Sequence, residues 1–102
     1  MSLFGSTYLP LLEEGTRTVS TAGTPVQLTT IKGKRAYIQS VEANNDKRIV
    51  VGDSNVDALT SPPVGRRVLF ATQAEWFEQT DTSEIYIDAD QNSASVHFAI
   101  YG

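Results

Sequence analysis

Two acidic stretches come nearest to metal chemistry. Asp53-x-Asn55-x-Asp57 and Asp88-x-Asp90-x-Asn92 place side-chain oxygens two residues apart, as a calcium loop places its first three ligands. In the first stretch Ala58 stands where such a loop needs glycine, and Val64 where it needs a bidentate glutamate. Both stretches therefore read as polar turns whose side chains bond nearby backbone. Asp88 is expected to point away from the core, with Asp90 and Asn92 shaping a hairpin turn. His97 is the single histidine. A catalytic role would need a nucleophile and an orienting acid beside it, and no motif such as GxSxG supplies one. It reads as an exposed or interface residue. The chain has no cysteine, which removes disulfides, thiolate ligands and thiol nucleophiles. These residues point away from an enzyme, and no cofactor or metal is expected.

Chemistry of association is better represented. Trp76 and Phe77 are adjacent, and neighbours in a strand face opposite sides. If that segment is extended, both cannot enter one core, so one ring is exposed or lies in a second interface; a β-bulge or a sandwich corner covering both sides is the competing explanation. Lys32, Lys34 and Arg35 form one basic cluster and Arg66-Arg67 another. Net charge is −4, which argues against a nucleic-acid or anionic-membrane binder. The arginines suit carboxylates on a protein surface instead. The first twelve residues carry no charged side chain and are rich in large apolar ones, unlike a solvated tail. Leu3, Phe4, Tyr8, Leu9, Leu11, Leu12, Arg66, Arg67, Trp76 and Phe77 are accordingly the candidate interface residues. The apolar residues at the start either cover the domain's own core or clasp a neighbouring subunit.

The elements that must position these residues are strands. Val, Ile and Thr make up 26 of 102 residues, and β-branched side chains pack well on pleated sheets. No window carries a helical apolar period with caps. Residues 1–15, broken by Gly5, Pro10 and Gly15, read as an extended N-terminal arm, and residues 16–102 as one β-domain. Strands are expected around Val19, over Val26–Thr30, Arg35–Ala43 and Lys47–Gly52. Arg66–Thr72 and Ala74–Thr80 read as one interrupted strand or a hairpin. Two further strands follow over Glu84–Ala89 and Ala94–Tyr101. Ile85, Ile87 and Ala89 share one face. Val96, Phe98 and Ile100 point inward, with His97, Ala99 and Tyr101 outward. The segment 53–64 holds Pro62-Pro63, which a central strand excludes, and reads as a loop. Seven or eight short strands in a chain of this size predict a single all-β antiparallel sandwich or jelly-roll-like barrel.

One ordered set of segments goes beyond composition. It runs Ala22-Gly23-Thr24-Pro25-Val26-Gln27-Leu28, Tyr37 to Asn44, Ile49-Val50-Val51-Gly52-Asp53-Ser54-Asn55-Val56-Asp57-Ala58, Asp81 to Ala89, and Ala94-Ser95-Val96-His97-Phe98. This order resembles small virion proteins encoded in tailed-bacteriophage structural modules, over about residues 19–101. Pro62-Pro63 departs from the Gly-rich turn such proteins often have, and Trp76-Phe77 has no place in the pattern. The resemblance implies a non-enzymatic capsid decoration (cement) or head-surface protein. Its partners would be the major capsid protein or other virion proteins, and its location the virion. It also favours a homo-oligomer, a trimer first and a dimer second. A head–tail or tail-tip adaptor, or a carbohydrate- or receptor-binding module, is the alternative.

Overall fold

The computed structural model describes residues 9–102. Eight strands run in order: β1 (Leu11–Val19), β2 (Val26–Gln27), β3 (Arg35–Ser40), β4 (Ile49–Gly52), β5 (Arg67–Leu69), β6 (Ala74–Glu78), β7 (Tyr86–Ala89) and β8 (Ala94–Tyr101). They form two antiparallel four-stranded sheets. The first sheet has the order β1-β8-β3-β6 and the second β2-β7-β4-β5. The only helical elements among the described residues are short 3-10 turns at Glu42–Asn44 and Thr82–Glu84. The all-β sandwich expected from β-branched content and turn spacing is what the chain forms.

The period-two pattern builds the core. Ala36 and Ile38 of β3, Phe77 of β6 and Val96, Phe98 and Ile100 of β8 point inward from the first sheet. Ile49, Val51, Leu69, Ile87 and Ala89 meet them from the second. Ile85 and Leu28 fill the ends. Polar links close both open sides of the sandwich. On one side the Thr29 hydroxyl donates to Glu13 Oε1 and Arg17 Nε donates to Leu28 O. On the other, Arg67 of β5 lies 3.3 Å from Glu75 of β6.

Three expectations need correction. The arm was expected to run to residue 15, but β1 begins at Leu11 and pairs with β8 from Leu11 opposite Tyr101 onward. The boundary between arm and domain therefore does not fall between 15 and 16. Arg66–Thr72 and Ala74–Thr80 form neither one strand nor a hairpin. β5 pairs with β4 and β6 pairs with β3, so the turn between them crosses from one sheet to the other. Thr72 makes that crossing with a positive φ of 69°. The third strand stops at Ser40 rather than Ala43. There Asn44 turns inward and its amide nitrogen donates to Ser40 Oγ and Ser95 O, each at 2.7 Å.

The two outer sheet faces have different fates. On the second sheet, Val50 and Val68 point outward and are covered by the loop 53–66, whose Val56 and Ala58 pack on them in a small second core. This flap is fastened at its base by paired backbone hydrogen bonds between Asp57 and Val64, at 2.9 and 2.8 Å. Gly65 lies so close to β4 that a Cβ there would stand 2.4 Å from Val50 Cγ1. No segment among the described residues covers the first sheet in the same way, and that bare face is where the candidate site lies.

Candidate functional site

The register of the first sheet sets out its outer face in rows. Leu11, Tyr101, Arg35 and Glu78 lie side by side across the four strands. The next row is Glu14, Ala99, Tyr37 and Trp76, and the next is Thr16, His97, Gln39 and Ala74. One end of the face is therefore aromatic and the other hydroxylic. Small alanines in β8 and β6 leave the aromatic residues standing proud.

Trp76 is the centre of the aromatic end. Its ring centroid lies 5.0 Å from that of Tyr37 and 5.5 Å from that of Tyr101, both tilted. Tilted pairs at this spacing suit the ring quadrupoles. The Arg35 guanidinium sits 4.2 Å over the indole, a cation–π contact. Arg35 Nε also lies 2.9 Å from Glu78 Oε1, but off the line a hydrogen bond needs, so the atom has no acceptor. With both side chains well exposed, that ion pair contributes little. The indole remains 44% exposed. This is a ring held in place by its neighbours yet left open to a partner, the character of an interface anchor.

The other expected residues separate. Phe77 is only 4% exposed and belongs to the core, so it is withdrawn from the candidate interface; Trp76 alone of the pair faces out. Leu11 and Leu12 are exposed, and Leu11 extends the aromatic end of the face. Leu9 is half-buried. Leu3, Phe4 and Tyr8 lie outside the described residues. Arg66 and Arg67 are split. Arg66 donates to Gln79 Oε1 at 2.7 Å and lies over Phe77, while Arg67 pairs with Glu75. Tyr37, Tyr101 and Arg35 were missed as members of the site. Tyr101 was already placed outward by the alternation of β8, so the signal was there. For β3 and β6 it needed their pairing.

The acidic turns hold backbone. Asp53 Oδ1 accepts from Asn55 N and Asp57 Oδ1 from Leu59 N, at 2.8 and 2.9 Å. Asp90 takes both Arg48 N and Arg48 Nε, and Asn92 accepts from Ala22 N. Asp88 does point away from the main core, but it is fully buried under the flap. There its oxygens accept from Ala58 N at 2.8 Å and Gly23 N at 3.0 Å. Among the described residues no three His, Cys, Asp or Glu side chains converge. His97 is exposed, with Nδ1 3.2 Å from Thr16 Oγ1. An open polar cleft of about 520 Å³ lies at one end of the sandwich between Asp53, Arg66, Gln79, Ser83 and Tyr86. Arg66 and Ser83 already spend donors on Gln79 and Asp81 there. Searches for known relatives find no matching family model, curated protein or solved structure.

Proposed function

We propose that this chain is a non-enzymatic structural protein of a phage virion, most simply a capsid decoration protein, which joins the surface layer through the outer face of its first sheet. The observation that carries the reading is the asymmetry of the sandwich. One outer face is sealed by the chain's own flap, and the other presents Trp76, braced by Tyr37, Tyr101 and Arg35, to solvent. The order of segments shared with small tailed-phage virion proteins supplies the setting. In that setting the major capsid protein or a sister copy is the partner, with a trimer favoured over a dimer.

A module of this kind works by linkage. Contacts available only on the assembled shell add binding free energy to the assembled state and so stabilise it. Repetition over many equivalent sites converts weak contacts into firm attachment. Quantitative mass spectrometry of purified particles from a phage encoding the chain tests the reading. Copies in the hundreds support decoration, about a dozen or fewer an adaptor, and a few to some tens a receptor-binding tip. A chain absent from the particles overturns it.

A further inference from the structure

β1 is an edge strand of nine residues. The other three sheet edges, β2, β5 and β6, run to two, three and five. β1 contains no proline, and Glu14, Thr16 and Thr18 are exposed. The direction of its backbone groups follows from its neighbour. Val41 N donates to Ser95 O at 3.3 Å and Ser95 N donates to Asn44 Oδ1 at 2.9 Å, so both backbone groups of Ser95 turn to the β3 side. By alternation the odd-numbered residues of β8 serve β3 and the even-numbered ones serve β1. Glu13, Gly15, Arg17 and Val19 stand opposite Ile100, Phe98, Val96 and Ala94 and so spend their backbone groups on β8. Those of Glu14, Thr16 and Thr18 point off the sheet, and among the described residues they meet no other segment. Such a row of unpaired N–H and C=O groups is a template for another strand.

We infer that the strand it takes is β1 of a second copy, antiparallel and centred on Gly15, so that the first sheets of two molecules join into one. This goes beyond the proposed function and stands whether or not the chain belongs to a virion. The residues of β1 select the register. With Gly15 opposite Gly15, Glu13 of each copy lies opposite Arg17 of the other. Glu14 of each lies opposite Thr16 of the other, and their outward backbone groups meet. A centre at Glu14 would set the two Glu14 carboxylates against each other and Glu13 against glycine. A centre at Thr16 would set Arg17 against glycine and Glu13 against Val19. Only the Gly15 centre puts each inner charge directly opposite its complement, the arrangement that stabilises a strand pair.

Glu13 and Arg17 point to the inner side of the sheet and are half-buried. Inward charges on an edge strand ordinarily turn other strands away. Here they are self-complementary. The Thr29 hydroxyl takes Glu13 Oε1, and Leu28 O takes Arg17 Nε, which leaves Glu13 Oε2 and both terminal nitrogens of Arg17. Neither side chain has an ion-pair partner among the described residues. Charges that repel a foreign strand therefore admit this one. The axis of the pair runs perpendicular to the sheet, so both outer faces, each with its Trp76, look the same way. The contact is isologous and closes at two copies. It buries well under the roughly 800 Å² per partner of a standard stable interface, and the two Glu14 side chains come within roughly 7–8 Å on the diagonal. The pair is weak, with a dissociation constant expected between about 10 and 300 μM.

Sedimentation and amide exchange by NMR test this on the unaltered protein. The chain is expected to be mostly dimeric at about 1 mM. The N–H groups of Glu14 and Thr16 should exchange at least twofold more slowly there than at about 50 μM, while exposed turn amides such as Asp46 and Gln91 do not change. Thr16→Pro removes one outward N–H and spares the ladder to β8, as an edge strand allows. It should keep the melting temperature within a few degrees and stay monomeric. Glu13→Arg and Arg17→Glu should each be monomeric and should associate one to one when mixed, because each supplies the charge the other lacks. If either charge variant fails to fold, Thr16→Pro and the exchange rates still decide. A monomer at about 1 mM overturns the pair, whether Glu14 and Thr16 exchange fast, as on a protected edge, or slowly, as on an edge covered by residues 1–8. A dimer that Thr16→Pro leaves intact uses another surface and overturns it too. Folded charge variants that stay apart on mixing overturn the Gly15 register.

Discussion

Asp88 has no exposed surface, yet it points to the outer side of β7, where an acidic side chain in an alternating strand ought to meet water. The flap is why it does not. Its carboxylate takes the place of water for two backbone N–H groups, Ala58 N and Gly23 N. Removing this acceptor leaves Ala58 N unsatisfied, at about 1–3 kcal/mol, while Gly23 N keeps a bond to Ala89 O at 3.3 Å. Asp88→Ala should therefore lower the melting temperature by roughly 5–15 °C. It should also open the flap to proteolysis near Leu59 before the sandwich unfolds; a variant that melts like the wild type would show that the flap is held by Val56 and Ala58 alone. The outward direction of Asp88 followed from the alternation Ile85, Ile87, Ala89. Its burial did not, because nothing in the local pattern shows which loop folds back over which face. A second aspartate sets an acid limit. Asp81 is held below the ordinary aspartate value of 3.8 by the Ser83 hydroxyl and then by the Ser83 N–H, with Lys32 assisting and burial opposing. A carboxyl whose folded pKa is depressed adds stability above its unfolded pKa and loses it as pH falls through the folded value. Asp81→Asn should flatten the fall of stability with acid below about pH 4. Equal acid limbs in the two proteins would contradict this.

The crossing between β5 and β6 is the element that decides where Trp76 points. Arg67–Leu69 belongs to one sheet and Ala74–Glu78 to the other, so Phe77 meets Ala36 on the inner face and Trp76 meets Tyr37 on the outer one. The two adjacent rings should behave oppositely. Phe77→Ala removes a core side chain and should cost about 3–5 kcal/mol, read as a lower midpoint in denaturant. Trp76→Ala should cost under about 1.5 kcal/mol, because nearly half of the ring is already in water. Comparable losses from both would mean that Trp76 serves the fold and not a partner. That both rings cannot enter one core of a regular strand is readable from adjacency, while a bulge or a sandwich corner covering both sides stays open to it. Which ring faces out depends on the partner strand, a long-range fact. The same limit explains why alternation marks β7 and β8 as strands while Arg66–Thr80 reads from sequence as one strand or a hairpin. A hairpin and a crossing use the same turn residues, and only the sheet to which each strand belongs tells them apart.

At the scale of the whole molecule the fold depends on its last strand. β8 lies inside the first sheet, with β1 on one side and β3 on the other. It places Ala94, Val96, Phe98 and Ile100 in the core. The three largest contribute roughly 1.5–3 kcal/mol each by burial, against a total stability of about 5–15 kcal/mol for a domain. Without β8, the ladders to β1 and β3 go as well, and β1 has no strand to pair with. The second sheet offers no fallback, because its inner residues would face solvent. A chain ending at Ser93 should therefore be unfolded as a whole, with collapsed amide dispersion in a nitrogen–proton NMR spectrum, rather than a partial sandwich with its flap in place. Adding residues 94–102 back as a separate peptide should restore the dispersed spectrum by folding coupled to binding, since the peptide returns the core side chains and both ladders, to β1 and to β3, that the truncated chain lacks. A truncated chain that keeps dispersed signals for Val50, Val56 and Ala58 would instead make the second sheet and its flap an independent folding unit, and β8 merely the strand that completes the docking face.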